Sequence, residues 1–243
     1  MIRTERLTKR YGPLAAVDDL TLDVPAGEVF CFLGPNGAGK TTTIKMLTGL
    51  VRPTSGRAWI DGIDIARDPV AAKRRIGYIP DMPFLYDRLT VAEFAEFSGE
   101  LYGLDGATIG RRTEEMFALF GLDDSRALLV RDLSHGMRQR LLYAATLLRD
   151  PPVLFVDEPL IGLDPYTIRT IKGLLRQRAR DGRTVFLTTH ILALAEEIAG
   201  RIGLIFEGRL VALGTLTELL SGRGAANLEE LFLSLTGRDP ATL

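Results

Sequence analysis

The stretch Gly34-Pro35-Asn36-Gly37-Ala38-Gly39-Lys40-Thr41-Thr42 decides how the rest of this chain is interpreted. It fits the pattern G-x-x-x-x-G-K-[ST], in which the glycines let successive backbone N–H groups wrap phosphates. In this pattern the lysine reaches the β- and γ-phosphates and the hydroxyl of the next residue meets Mg²⁺. We therefore expect residues 34–42, called the P-loop below, to bind a nucleotide, with Thr41 as a metal ligand.

The residues on both sides of the P-loop fit this interpretation. Val29-Phe30-Cys31-Phe32-Leu33 is an apolar run typical of a buried strand, and Thr42–Leu47 has the pattern of a helix start. Phosphate binding at a helix N-terminus needs strand, loop and helix in this order. The alternative is a glycine-rich turn that binds no ligand, and such a turn does not require a strand before it and a helix after it.

The composition predicts a folded protein with a substantial core, since 46% of its 243 residues are hydrophobic. Its 30 basic and 31 acidic residues leave a formal charge of −1, which gives no global basic field for nucleic acid. The single cysteine, Cys31, excludes a disulfide framework and favours a reducing compartment. No run approaches 18 uncharged apolar residues, so we expect this protein to reach a membrane only through a partner.

The pattern along the chain predicts an α/β fold, built on a P-loop core with a parallel sheet. Short strands before residue 33 indicate an N-terminal antiparallel β region, and helical spacing within residues 88–150 indicates an inserted helical lobe. From Val153 to Phe206 strands and helices alternate, which is typical of a parallel sheet. We predict one ATPase domain over residues 1–220, followed by a linker and a short helix over residues 221–243.

Two carboxylates end the apolar run Val153-Leu154-Phe155-Val156, at the edge where α/β sheets bind ligands. Beside a P-loop, the first of them, Asp157, is expected to bind Mg²⁺, and Glu158 to orient or deprotonate the water that attacks the γ-phosphate. His190 follows the next strand and is expected to donate a hydrogen bond to that phosphate. Lys40, Glu158 and His190 are thus the predicted catalytic residues. A strand that simply ends in a polar turn is the alternative.

Taken in order, these segments resemble the ATP-binding subunits of ATP-binding cassette (ABC) transporters over nearly the whole chain. Leu133-Ser134-His135-Gly136-Met137, called the signature segment below, stands where that family carries Leu-Ser-Gly-Gly-Gln. The resemblance implies that Ser134 and Gly136 face the γ-phosphate held by a second subunit. It also implies that Tyr11 stacks on adenine, that Gly162-Leu163-Asp164 is the D-loop, and that His190 is the switch histidine.

The sequence departs from the family pattern at several positions. Asp81 stands where most members have a glutamine, and a carboxylate cannot donate the amide hydrogen bond. We expect Asp81 to help hold Mg²⁺; the alternative is a turn residue before Met82-Pro83. His135 and Met137 replace Gly and Gln of the signature. The apolar residues in 82–86 are expected to contact a permease, with packing inside the lobe as the alternative.

The resemblance implies an ATPase that uses ATP and Mg²⁺, works as a homodimer or heterodimer, and powers a separate membrane permease from the cytoplasmic face of the membrane as a peripheral subunit. The ending Asn227–Gly237 resembles that of exporter-type (ABC-2-like) subunits. One alternative is a soluble ABC ATPase acting on nucleic acid or the ribosome. The other is a stand-alone P-loop kinase or GTPase. We expect no nucleic-acid partner.

Overall fold

The computed structural model describes residues 1–158, 160, 162–222 and 224–237. Its N-terminal part forms a four-stranded antiparallel sheet with the order β2-β1-β4-β5. The strands are β1 (Ile2–Tyr11), β2 (Leu14–Val24), β4 (Ser55–Ile60) and β5 (Ile63–Asp64). This confirms the predicted antiparallel β region and extends it to strands that follow the P-loop helix.

The second sheet has six strands in the order β10-β9-β3-β8-β7-β6. Five run parallel: β3 (Val29–Leu33), β6 (Ile76–Ile79), β7 (Val153–Asp157), β8 (Thr184–Thr189) and β9 (Arg201–Phe206), whereas β10 (Arg209–Gly214) pairs antiparallel with β9. Strands β3, β7 and β8 are buried along their length, which explains their unbroken apolar sequences. The P-loop follows β3, and β3 lies between its two parallel neighbours β8 and β9.

Nine α-helices are described. They are α1 (Lys40–Leu47), α2 (Pro69–Arg74), α3 (Val91–Leu101), α4 (Gly106–Phe120), α5 (His135–Leu147), α6 (Pro165–Arg180), α7 (Leu192–Ile198), α8 (Leu216–Ser221) and α9 (Leu228–Thr236). Helices α3, α4 and α5 form the helical lobe and lie between β6 and β7 in the chain. Thr90 begins α3 with a capping box, its hydroxyl accepting from the N–H of Glu93.

Two hydrophobic clusters hold the layers together. One lies between the two sheets and α1 and contains Phe30, Phe32, Phe155 and Phe186, with ring centroids of Phe186 5.2–5.6 Å from the other three. The other joins the opposite side of the parallel sheet to the helical lobe and to α6, α7 and α9.

The C-terminal region of the chain is described only in part, because Arg223 and residues 238–243 lie outside the described residues. Leu228 and Leu231 of α9 are fully buried in the second cluster. The boundary at residues 220/221 remains a prediction.

Candidate active site

The predicted catalytic segments meet at one edge of the parallel sheet. The P-loop follows β3, Glu158 follows β7, His190 follows β8, and Asp81 follows β6. Because the carboxyl ends of parallel strands lie at the same edge, residues far apart in sequence converge there. The resulting cleft has a volume of about 320 Å³ and is lined by Ala16, Asn36, Gly37, Gly39, Lys40, Thr41, Thr42, Asp81, Glu158 and His190.

Two glycines allow the P-loop to fold tightly. Gly39 has φ +107°, and a Cβ atom at this position would lie 2.4 Å from the carbonyl oxygen of Ala16. A Cβ atom on Gly34 would lie 2.3 Å from the carbonyl oxygen of Ile205. Any side chain at either position would collide with backbone, so the glycines are needed for close packing as well as for ligand approach. Ala38 is buried, and its carbonyl accepts from the N–H of Gly208 at 3.0 Å.

Lys40 is the first residue of α1, and its ammonium group lies folded back over the loop. Nζ donates to the carbonyl oxygens of Gly34 at 2.8 Å and Pro35 at 3.1 Å. It also lies 3.5 Å from Oε1 of Glu158, and both side chains are largely buried. The positive charge is therefore held inside the cleft by backbone oxygens and one carboxylate.

Glu158 connects the P-loop to His190. Its Oε1 lies 3.0 Å from Nδ1 of His190, while its Oε2 is buried without a hydrogen-bond partner in the described part of the chain. Glu158 has φ +50°, in the left-handed region, and its N–H donates to the carbonyl of Thr188 at 3.2 Å. Such backbone strain in a non-glycine residue is concentrated at functional sites. Glu158 and His190, which the sequence assigns to the same site, are therefore in direct contact.

Asp157 has the surroundings of a metal ligand. It is fully buried, and Oδ1 accepts a hydrogen bond from the hydroxyl of Thr188, whereas Oδ2 has no partner among the described residues. Burial raises the pKa of Asp157, the hydroxyl groups of Thr188 and Thr41 oppose this, and the nearby carboxylates of Asp81 and Glu158 raise it further. A cation at the free oxygen would offset both the desolvation and the repulsion.

The oxygen donors of this cleft suit Mg²⁺, which shares its ligands between protein, phosphates and water, better than a metal ion whose ligands all come from the protein. No cluster of three or more His, Cys, Asp or Glu residues suited to a metal occurs in the described ranges. Mg²⁺ is usually bound through one or two carboxylates together with substrate phosphates and water, so Asp157 and Thr41 are a sufficient protein contribution. Asp81 lines the same cleft, but its Oδ1 accepts from the N–H of Met82 at 2.8 Å.

Tyr11 lies outside the lining of the cleft. It ends β1, is 49% exposed, and its ring is covered by the ammonium group of Lys9, 5.0 Å from the ring centroid. The following strand β2 brings Ala16 to the cleft instead. The sequence patterns did not identify Ala16 or Thr188 as site residues. For Thr188 a signal was present, because the polar run Thr188-Thr189-His190 ends a buried strand.

Ser134 and Gly136 also lie outside the cleft of their own chain. Ser134 caps α5, its Oγ accepting from the N–H of Met137 at 3.3 Å. Ser134 and His135 are exposed. The signature segment therefore presents a helix N-terminus to solvent, away from the chain's own P-loop cleft.

Taken together, the parallel sheet, the P-loop and the two strand-end carboxylates define a P-loop ATPase. Within the described residues no helix is both long and apolar enough to cross a membrane.

Comparison with known proteins extends this assignment. The model of the family "ABC transporter" matches residues 17–161. The "Daunorubicin/doxorubicin resistance ATP-binding protein DrrA" of Streptomyces peucetius is 42% identical over 92% of this chain and 68% of its own length. The "Probable multidrug ABC transporter ATP-binding protein YbhF" of Escherichia coli is 39% identical over 90% of this chain, which spans only 38% of that relative.

Two solved structures have the same fold. One is described as "Structure of ATP binding subunit of ABC transporter" and has a TM-score of 0.93 with 34% identity, covering 97% of this chain and 99% of the other. The second is a dimer of the cassette MJ0796 in a post-hydrolysis state with ADP and Pi; its TM-score is 0.81 with 26% identity, covering 89% and 99%.

This chain belongs to the ABC transporter family. The predicted fold, the ATP-binding role and the ATP hydrolase class are confirmed. The alternative of a stand-alone kinase or GTPase is wrong, because the family model includes the signature segment as well as the P-loop.

Proposed function

We propose that this chain hydrolyses ATP between two ATPase subunits and thereby drives a separate membrane permease, from the cytoplasmic face of the membrane. The observation that carries this proposal is the contact of Glu158 with both Lys40 and His190 in one cleft, next to Oδ2 of Asp157, which has no hydrogen-bond partner in the described ranges. These groups have the charge and position needed to hold phosphates and to orient an attacking water.

Lys40 acts first in this mechanism. Its ammonium group leaves the carbonyl oxygens of Gly34 and Pro35 and binds the β- and γ-phosphates, which are stronger acceptors than carbonyls. Its departure breaks the ion pair with Glu158, whose carboxylate then accepts the proton of a water aligned with the γ-phosphate. His190 keeps Glu158 oriented through Nδ1, and with both ring nitrogens protonated its Nε2–H donates to the γ-phosphate.

When bound, Mg²⁺ would neutralise negative charge on the phosphates. The hydroxyl of Thr41 and, directly or through water, the carboxylate of Asp157 would hold it. We assign Asp81 to the same metal site, because it lines the cleft and its charge acts on Asp157. The carboxylate thereby replaces the amide oxygen that a glutamine would offer.

The second subunit supplies the signature segment. Ser134 and Gly136 belong to an exposed helix N-terminus, which attracts negative charge through its N–H groups. Two copies related by a twofold axis would each place α5 over the P-loop of the other. The solved MJ0796 cassette, described as a dimer, supports this arrangement. Tyr11 would stack on adenine once Lys9 moves off its ring.

Segment 82–86 is assigned to the permease. Phe84 is 85% exposed, which supports a binding role for this side chain over packing inside the lobe. Tyr86 is also largely exposed and contacts Phe97 edge-on, with 5.3 Å between ring centroids. Exposed aromatic side chains in a cluster are typical of binding surfaces. Export of a compound is supported by the words "multidrug" and "daunorubicin/doxorubicin resistance" in the names of the two relatives.

The test compares Phe84→Ala with Tyr166→Ala, since Tyr166 is a similarly exposed aromatic outside segment 82–86. We expect both variants to unfold at the wild-type temperature and to bind ATP normally. Only Phe84→Ala should lose co-purification of a protein with several membrane spans, by about 30-fold in affinity for a 2 kcal/mol anchor. Equal co-purification of the membrane protein with both variants would contradict the assignment of segment 82–86 to the permease. Absence of Mg²⁺-dependent ATP hydrolysis in the wild type would contradict the enzymatic proposal.

A further inference from the structure

A groove between the helical lobe and α6 shares no lining residue with the P-loop cleft. Its walls are one face of α4 and one face of α6, its floor is the end of α5, and its volume is about 830 Å³. On α4 the lining residues Arg112, Met116 and Leu119 have the spacing i, i+4, i+7, which places them on one side of the helix. We call this feature the α4–α6 groove. Its volume is in the range of cavities that hold small molecules.

The surface of the groove is largely apolar. Leu147 and Leu148 are buried at the end of α5, and Met116 and Leu174 pack partly buried against the same hydrophobic cluster. Tyr166, which also lines the groove, is 77% exposed. Apolar and aromatic side chains that surround a concave surface and remain accessible are typical of ligand-binding sites.

Gly173 keeps the middle of this surface open. It lies inside α6, where a glycine weakens the helix relative to an alanine. A Cβ atom on Gly173 would have no other atom within 4 Å, and its φ is not positive, so neither close packing nor backbone conformation requires a glycine here. Because Gly173 lines the groove, a larger side chain at this position would occupy part of the cavity. The open space is what the glycine provides.

The lining carries an excess of positive charge, although the whole chain has a formal charge of −1. Four arginines line the groove against two carboxylates, Glu115 and Asp150. Glu115 pairs with Arg111 at 2.8 Å, and Asp150 is shared between Arg178 at 3.0 Å and Arg183. Both carboxylates are therefore already engaged by arginines.

The two other arginines of the lining have no carboxylate partner among the described residues. Arg112 donates through Nη1 to the carbonyl oxygen of Leu148 at 2.9 Å and forms no ion pair there. Arg169 is exposed and forms neither an ion pair nor a side-chain hydrogen bond within the described ranges. Guanidinium groups bind carboxylates through charge-assisted hydrogen bonds. The groove therefore combines an apolar surface with cations that can accept an anion.

We propose that the α4–α6 groove binds a small amphipathic anion that has one apolar chain and a carboxylate head group. The chain lies along Met116, Leu147 and Leu174, and the cations Arg112 and Arg169 attract the head group. This inference goes beyond the proposed function and does not depend on it, because binding in the groove needs neither nucleotide nor a second copy of the chain.

Isothermal titration calorimetry with dodecanoate, below its micellar concentration and without nucleotide, tests the site. We expect saturable binding to the wild type, and about tenfold weaker binding of decanoate, because two fewer methylene groups are buried. Dodecyltrimethylammonium has a chain of the same length and the opposite charge, and it should not bind saturably at the same concentration. Equal binding of the anion and the cation, or no saturable binding of dodecanoate, would overturn the proposal.

Gly173→Leu and Gly110→Leu form a matched pair that locates the ligand. Gly110 lies inside α4, also has no atom within 4 Å of an added Cβ, and does not line the groove. Both substitutions should raise the unfolding temperature, because leucine favours a helix over glycine. Only Gly173→Leu should weaken dodecanoate binding, at least about tenfold, since its side chain takes the space of several methylene groups. Wild-type affinity of a folded Gly173→Leu protein would place the ligand elsewhere and overturn the proposal.

Arg169→Gln and Arg180→Gln test the role of charge. Arg180 is exposed at the end of α6 and does not line the groove. We expect Arg169→Gln to bind dodecanoate about fivefold more weakly, the effect of one charge pair in water, and Arg180→Gln to bind it as the wild type does. Equal affinities of the two variants would reject recognition of the head group by Arg169. An acidic amphipathic peptide that binds where dodecanoate does not, and that Gly173→Leu excludes, would make the groove a protein-docking surface and overturn the small-molecule proposal.

Discussion

The P-loop cleft and the signature segment are both built at a helix N-terminus, but only the first is complete within one chain. At the start of α1, Lys40, Asp157, Glu158 and His190 converge from three strands, and several of their polar atoms contact each other. At the start of α5, the hydroxyl of Ser134 is engaged only by the N–H of Met137 within the described residues. Under the proposed function, the P-loop cleft is the catalytic half and the signature segment the receiving half, and the two halves would meet only between two copies of the chain.

The largest effect is expected from Lys40→Ala, which removes the only cation held inside the cleft among its lining residues. A hydrogen bond to a charged group contributes up to about 3 kcal/mol, so ATP affinity should fall about 100-fold. Isothermal titration calorimetry measures this directly. Lys45→Ala is the matched control, because Lys45 lies in the last turn of the same helix and is exposed. Equal affinities of the two variants would reject the role of Lys40.

Glu158→Gln should lower turnover at least ~100-fold while ATP binding is kept, because an amide cannot accept the proton of the attacking water. The neutral side chain also releases Lys40 from its ion pair, so affinity should be unchanged or higher. Gel filtration with ATP is expected to reveal a trapped dimer. Glu207→Gln is the control, since Glu207 has a similar backbone, with φ +47°, in the turn between β9 and β10. Near-wild-type hydrolysis by Glu158→Gln would remove it from the mechanism.

A negative charge added to the signature segment should lower ATP turnover without changing ATP binding at the P-loop of the same chain. Asp and Asn both cap helices as well as Ser does, so Ser134→Asp and Ser134→Asn should both fold with wild-type stability. Only Ser134→Asp sets a carboxylate against the partner's γ-phosphate, and we expect about tenfold lower turnover from this repulsion. ATP binding to the separate subunit should not change. If both variants hydrolyse ATP at the same rate, the segment does not face a phosphate.

The smallest effect is expected at Asp81. Asp81→Asn can still accept from the N–H of Met82, so it preserves the turn while removing the charge. We expect the Mg²⁺ concentration for half-maximal hydrolysis to rise severalfold in Asp81→Asn, and less in Asp81→Gln if the longer amide reaches the metal. Identical Mg²⁺ curves for all three proteins would assign Asp81 to the turn alone.

The sequence predicted most of the catalytic half because its signals are local. Runs of four or five apolar residues mark β3 and β7 as buried strands, and the polar residues that end them are adjacent in the chain. The elements that were missed have weak local signals: α2 has only six residues, and β10 is a half-buried edge strand. The P-loop helix begins at Lys40, two residues before the sequence pattern indicates.

Local sequence patterns do not predict contacts between residues that are far apart in the chain. Ala16 carries no chemistry of its own, and only the fold reveals that its carbonyl requires a glycine at position 39. The ring of His135 lies close to the backbone of Gly162, 27 positions further along the chain, and this approach depends on how α5 and the start of α6 pack. The same reasoning explains Tyr11, whose place outside the cleft depends on the hairpin between β1 and β2.

The most direct test of the two-copy account is to mix two variants that are each defective alone. In a mixed dimer of Lys40→Ala with Ser134→Asp, one site carries both defects, while the other combines an intact P-loop with an intact signature segment. The account predicts that an equal mixture recovers about a quarter of wild-type hydrolysis, since about half of the dimers are mixed and each has one intact site. Activity no higher than the average of the two separate variants would contradict it.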